Sequence, residues 1–347
     1  MFKRKTVFVV GAGGSYGGLP TGDKLAIKIS EKLAGPNRDS ARPLDEQINE
    51  CLHKLASANG DRNVGPWYIA ASAISHSMPL ALSIDNYLHT HSDDARIVQV
   101  GKLAIARCIL EAEGASDVSS KPNTPFDFTG LHTGYRNLGR TPSWHNTFFK
   151  MLTEGVKRSS LESVFDNISI ITFNYDRCIE HYLTHAFSQF MGMPLPDAAE
   201  LCSKLEVIHP YGKVGYLLER SGTTAFGLNV SSERLLEVSR QIRTFTEQVT
   251  EEDTLALMRD RLSEAKNIVF LGFSFGDMNI KLLQAGGAKE EKNVVGSALG
   301  ISLSNREHID SELRKALKLA YKIHLPVYLE VGTCHQVLND YSRLLLS

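Results

Sequence analysis

Two rhythms of apolar residues run along this chain. Short β-branched and aromatic runs are separated by stretches whose apolar positions return every three or four residues. The first short run, Thr6–Val10, reads as a strand. After a glycine-rich segment, Leu25, Ile29 and Leu33 recur at a spacing of four and predict a helix over about Asp23–Leu33. Helical patterns follow over 43–58, 66–80, Ser83–Leu88 and Arg96–Glu113. Residues 114–143 are rich in Ser, Pro, Gly and Thr and read as a long loop, before a helix over about Trp144–Gly155. Strands are then predicted at Ile168–Phe173, Leu205–Gly212, Asn267–Ser274, Ala298–Ser304 and Pro326–Val331, with helices at 178–190, over 232–265 and from Asp277. This alternation predicts an α/β fold, a Rossmann-like parallel sheet with helices on both faces. The helical stretch over 40–155 is an insertion into a core made of residues 1–39 and 156–347.

Composition narrows the class without naming a chemistry. The chain has 347 residues, 42% of them hydrophobic and 22% charged, with a formal net charge of −1, so nothing in the balance asks for a nucleic acid or a membrane surface as partner. No apolar run approaches the ~18–20 residues that span a bilayer, and the apolar stretch after the basic start is too short for a secretory signal. The chain reads as cytoplasmic. Its five cysteines are scattered and never spaced C-x-x-C, which argues against a disulfide framework and against a zinc ribbon.

In a parallel sheet of this type, ligands bind outside the carboxyl ends of the strands. Those tips read Gly11-Ala12-Gly13-Gly14-Ser15, then Thr172-Phe173-Asn174-Tyr175-Asp176, then His209-Pro210-Tyr211-Gly212, then Gly272-Phe273-Ser274-Phe275-Gly276-Asp277. Five glycines lie between Gly11 and Gly18, yet neither standard phosphate motif fits. The dinucleotide fingerprint needs glycine where Tyr16 stands, and a P-loop from Gly17 to Gly22 runs into Asp23 and Lys24. Backbone N–H groups at Gly13–Ser15 remain able to cradle a pyrophosphate; a plain tight turn is the competing reading. Asp176 suits either a helix N-cap or a site carboxylate, and His209 either a buried structural imidazole or a proton-transfer group. Ser274 and Asp277 fit a turn and a helix cap as well as ligand contacts.

The four tips, in this order, resemble the sirtuin-type NAD-binding fold, and in particular its divergent bacterial branch of sirtuin-like NAD hydrolases of antiphage defence. The G-A-G-x-S opening is matched by Gly11, Ala12, Gly13 and Ser15, and the G-L-P segment by Gly18, Leu19 and Pro20. T-x-N-x-D is matched by Thr172, Asn174 and Asp176, the histidine–glycine end more loosely by His209 and Gly212, and G-x-S by Gly272 and Ser274. The Ser83-Ile84-Asp85 run is also similar to that branch. The two C-x-x-C pairs of the deacetylases are missing from the sequence, which turns the expectation away from protein deacetylation.

The resemblance implies that NAD⁺ is hydrolysed to nicotinamide and ADP-ribose, with no metal required because nicotinamide is already a cationic leaving group. Asn174 is expected to orient the ribose and the attacking water, and His209 to act as general base or ribose-hydroxyl partner. Gly11, Ala12, Gly13, Ser15, Pro20, Thr172 and Gly212 are expected around the cofactor, and Asp176 on the nicotinamide side. Gly272, Ser274, Phe275 and Asp277 are expected toward the adenosine end. A nucleotide-sensing or ADP-ribose-binding module without turnover is the competing function. Self-assembly into a homo-oligomer, or a separately encoded partner such as a HerA-type ATPase or an Argonaute-like protein, is expected to control the activity. The insertion would either cover the site or mediate that assembly.

Overall fold

In the computed structural model the strands are β1 (Thr6–Val10), β2 (Ile168–Thr172), β3 (Glu206–Ile208), β4 (Asn267–Leu271), β5 (Asn293–Ser297) and β6 (Val327–Glu330). The helices that precede β2 are α1 (Gly22–Leu33), α2 (Glu46–Ala58), α3 (Gly65–Ser77), α4 (Ile84–Thr90), α5 (Ala95–Ala115), α6 (Phe128–Thr133) and α7 (Trp144–Thr153). After β2 come α8 (Cys178–Met191), α9 (Leu195–Cys202), α10 (Ser232–Ser239), α11 (Phe245–Val249), α12 (Glu252–Glu264), α13 (Asp277–Leu282), α14 (Leu303–Ala316), α15 (Cys334–Asp340) and α16 (Ser342–Leu346). The structure describes residues 1–15, 17, 19–35, 44–120, 126–134, 141–217, 224–227, 229–249, 252–320 and 326–347. Tyr16, Gly18 and parts of the 40–155 and 114–143 segments therefore lie outside the described residues.

All six strands are parallel, in the order β3-β2-β1-β4-β5-β6. This is a doubly wound sheet whose order reverses between β1 and β4. Side chains alternate between two cores, as the pleat requires. Val7 and Val9 of β1, Ile171 of β2, and Ile268 and Phe270 of β4 face one core; Phe8, Val10, Ile170, Val269 and Leu271 face the other. On the first face pack α1, α2, α3 and α5; on the second pack α7 and α8, with the rings of Phe8 and Phe148 4.9 Å apart. Helices of the insertion thus share both cores with the strands. Among the described residues no helix is long and apolar enough to cross a membrane.

Several predicted elements differ from those observed. The fifth strand in sequence order is Asn293–Ser297, not Ala298–Ser304. The alternation in the latter stretch is that of a turn and a helix start: Leu299 and Leu303 are exposed, and Ser302 caps α14 by accepting from the N–H of Asn305 at 3.3 Å. Gly296 obscures the true strand, and it stands there because an added Cβ would meet Leu329 and Phe270 at 3.1 Å. The 114–143 segment is not all loop, since α6 lies within it, started by Asp127, which accepts from the N–H of Gly130 at 2.8 Å. The predicted strand at 205–212 narrows to three residues, and the helical stretch over 232–265 breaks into three helices.

One buried ion pair ties the end of α5 to the connection between β2 and α8. The side chains of Glu113 and Arg177 have no exposed surface. Glu113 Oε1 accepts from the Arg177 N–H (2.9 Å) and Nε (3.1 Å), and Oε2 from Nη2 (2.5 Å) and the Gly227 N–H (3.4 Å). Arg177 also donates to the carbonyls of Thr224 and Ala225. Burial pushes the Glu113 carboxyl up overall, while the Arg177 charge and these donors pull the other way and offset part of the rise.

Two stability predictions follow from this packing. Arg177→Met strands a carboxylate in a dry interior and is expected to cost about 3–5 kcal/mol in urea unfolding, with Glu113→Gln on top recovering part of the loss. The second concerns His145, which is buried against Trp144 and Tyr182, with burial pushing its imidazole down to about 3. An unfolded histidine takes its proton near pH ~6.5, so below that pH the unfolded chain binds one proton more and the fold loses about 1.4 kcal/mol per pH unit. Between pH 7 and 5 the wild type should lose roughly 2 kcal/mol more than His145→Phe; equal losses would show that His145 is not the group responsible.

Candidate active site

The β1 and β4 tips touch through bare backbone. Gly11 N–H donates to Leu271 O (3.0 Å) and Gly13 N–H to Gly272 O (2.8 Å). Gly272 has φ +58°, and a Cβ on it would lie 1.8 Å from the Gly14 nitrogen. Only glycine permits both the conformation and the approach. Within the turn, Gly14 N–H bonds Gly11 O (2.8 Å) and Ser15 N–H bonds Ala12 O (3.2 Å). The donors at Gly13–Ser15, expected to cradle a pyrophosphate, are thus already paired with carbonyls of the tips. From the insertion, Trp144 Nε1 donates to Gly14 O at 2.6 Å and holds the turn from above.

The β2 tip builds a directed chain of hydrogen bonds against this turn. Thr172 Oγ1 accepts from the Asn174 N–H at 3.3 Å. Asn174 Nδ2 donates to Gly11 O (3.2 Å) and to Ser15 Oγ (3.0 Å), and Ser15 Oγ donates to Asp176 Oδ2 (3.2 Å). Since Gly11 O can only accept, the amide orientation of Asn174 is fixed. Its Oδ1 is buried and has no partner among the described residues. Burial pushes the Asp176 carboxyl up, and its other oxygen accepts from the Cys178 N–H at 3.1 Å. Asp176 therefore supports the start of α8 and faces the β1 turn at once.

His209 adjoins this chain from the β3 side. Its Nδ1 lies 3.1 Å from the main-chain oxygen of Asn174 and its Nε2 3.3 Å from Glu180 Oε1, which also accepts from Lys213 Nζ at 2.8 Å. Burial pushes the Glu180 carboxyl up, but Lys213 and His209 outweigh it and hold it well below the usual carboxylate range. Gly212, at φ +72°, turns the chain where a Cβ would strike Gln241 O. On the other flank, Tyr175 donates to Asp85 of α4, whose carboxyl is pushed up by burial.

Gly11, Ser15, Thr172, Asn174, Asp176 and His209 are thus joined by direct hydrogen bonds, with Ala12, Gly13 and Gly272 in the backbone beneath them. The remaining predicted residues are not bonded into this chain. Pro20 is buried just ahead of α1, while Ser274 and Asp277 are exposed at the β4 tip, Asp277 as the first residue of α13 rather than its cap. Between them Phe275 is buried at φ +56°, a strained conformation for a side-chain-bearing residue, held by rings of Phe270 and Phe273 within 5.3 Å. Sequence reasoning missed Glu180, Lys213 and Arg177. The available signal was an acid one helical turn beyond Asp176 and a cation directly after Gly212.

A cavity of about 1130 Å³, lined by residues such as Phe128, Phe149, Tyr182 and Phe190, contains none of the tip residues. The polar chemistry lies at the carboxyl edge, and that edge takes precedence over the apolar hollow because Asn174 presents there a buried acceptor without a partner among the described residues, whereas no residue lining the hollow does. Among the described residues no three His, Cys, Asp or Glu side chains converge to hold a metal ion.

No curated protein matches the chain. One family model does, over residues 168–325, a span that takes in β2 to β5 with the Asn174, Asp176, His209 and Gly272 tips but leaves out β1 and its glycine turn. Over that span the chain is similar to the SIR2-like domain, a kind of domain commonly found in NAD-using enzymes.

Proposed function

We propose that the strand tips form the site of an NAD⁺ glycohydrolase, which breaks the bond between nicotinamide and ribose and leaves ADP-ribose. The observation that carries this reading is the buried Oδ1 of Asn174, which has no partner among the described residues. It is an acceptor held in one orientation at the switch point of a doubly wound sheet, the usual location of a nucleotide in this architecture. An acceptor there can take a hydrogen bond from a ribose hydroxyl or from the attacking water. The electron pair of the breaking bond goes to the nicotinamide nitrogen, which leaves neutral. Positive charge develops on the ribose, and water adds to the carbon and gives up a proton. Asp176, with Ser15 bonded to it, places a carboxyl group beside that developing charge.

The residues fit a dinucleotide in one further respect. Because the Gly13–Ser15 donors are paired, the N–H groups of the first turn of α1 are the free donors left to a phosphate, since its cap residue Thr21 makes no side-chain cap bond, with the carboxylate of Asp23 in that turn working against them. In the same reading the reaction depletes NAD⁺ in antiphage defence. The chain works as a homo-oligomer, with a separately encoded partner such as a HerA-type ATPase or an Argonaute-like protein. This part is supported by the resemblance of the sequence motifs.

Incubation with NAD⁺, alone and with the product of a neighbouring gene, is expected to release nicotinamide and ADP-ribose, separable by chromatography. Asn174→Ala should lower turnover by about 10²–10⁴-fold while the circular dichroism spectrum is kept. Binding of NAD⁺ without release of nicotinamide in either condition would replace hydrolysis by a sensing module; deacetylation of an acetyl-lysine peptide would replace it by a deacetylase.

A further inference from the structure

The surroundings of His209 do not leave it free to act as a base. Its Nδ1 faces the main-chain oxygen of Asn174 at 3.1 Å, a group that can only accept, so Nδ1 carries a hydrogen. Its Nε2 faces Glu180 Oε1 at 3.3 Å, and an ionised carboxylate can likewise only accept. A neutral ring would set a nitrogen lone pair against that oxygen. The ring is walled in, with 5% of the side chain exposed, so it cannot turn toward water without leaving both partners. The charged groups facing it are Glu180 from α8, Asp176 from the β2–α8 connection and Lys213 from the segment after β3. Lys213 is itself held between Glu180 and the face of the Tyr216 ring, 5.3 Å from its centre.

We propose that Glu180 is a positioning residue that pins His209 as a double hydrogen-bond donor, so that the ring braces the main chain of Asn174 instead of taking a proton from water or ribose. The brace acts on the residue whose Oδ1 points into the site. Glu180 fixes His209, His209 fixes the Asn174 carbonyl, and Gly11 O and Ser15 fix its side-chain amide. Lys213 competes for the same carboxylate oxygen and tunes how firmly Glu180 holds the ring. The proton lost by the attacking water then goes to bulk water or to the Asp176 carboxylate, not to His209. The catalytic consequence rests on the NAD⁺-cleavage reading; the protonation of the ring does not.

The test uses the full chain labelled with ¹⁵N-histidine, with the His209 signals assigned from a His209→Gln variant. Both ring nitrogens of the wild type are expected to carry hydrogen, and Glu180→Gln should leave hydrogen on Nδ1 alone. In the NAD⁺ assay, Glu180→Gln should reduce kcat on the order of 10–100-fold, the scale of a slightly misplaced reacting group, with KM little changed. A singly protonated His209 in the wild type, or a Glu180→Gln variant that keeps both ring hydrogens, would overturn the brace. A doubly protonated ring in a protein that releases no nicotinamide supports the brace and counts against the cleavage reading alone.

Discussion

The arrangement at the carboxyl edge hangs on the dry ion pair between Glu113 and Arg177. Removing two charges from water costs several kcal/mol for each ion, and the pair is tolerable only because each oxygen of Glu113 meets two donors and Arg177 donates in addition to the carbonyls of Thr224 and Ala225. Such a pair has little tolerance for displacement. Arg177 stands between Asp176 and the first turn of α8, so the position of Asp176 is set by the last turn of α5. The insertion is therefore a structural member of the site.

A second constraint comes from the glycines. Gly272 and Gly13 bring the β1 and β4 tips into backbone contact, which leaves no depth between the two central strands at that point. In the proposed reading the dinucleotide lies across the turn, over Asn174 and toward α1. The polar chain from Asn174 through Ser15 to Asp176 runs along that line. The two insertion contacts, Trp144 to Gly14 and Asp85 to Tyr175, hold the turn and the β2 tip in place from outside.

Much of this was legible from local sequence. β1, β2, β4 and β6 are short apolar runs with β-branched residues, and the polar tips that follow them stand out by contrast. That Gly11, Ser15, Asn174 and Asp176 come together could be read because each follows directly on an apolar strand of one parallel sheet, although Asp176 also supports the start of α8. The β5 strand could not, because Gly296 breaks its pattern for a reason that resides in Leu329 and Phe270, while the alternation of Leu299 and Leu303 belongs to the solvent. Glu180 and Lys213 were hidden because an acid on a helix and a lysine in a loop are ordinary until one carboxylate oxygen of Glu180 is seen to meet both His209 and Lys213. The donor pairing at Gly13–Ser15 was hidden for a similar reason: it is decided by Gly272 and by the turn's own carbonyls, not by the count of glycines.

The position of β1 has a consequence for biosynthesis. It is a central strand, yet both of its neighbours emerge much later, Ile168 opposite Thr6 on one side and Asn267 on the other. At about 5–20 residues per second the ribosome needs roughly 10–30 s to reach the first of them. Through that interval the apolar Val7–Val10 run has two unsatisfied edges, and only helices such as α1 and α5 are at hand to cover one face. The nascent chain thus carries its most apolar strand unpaired until the sheet can form.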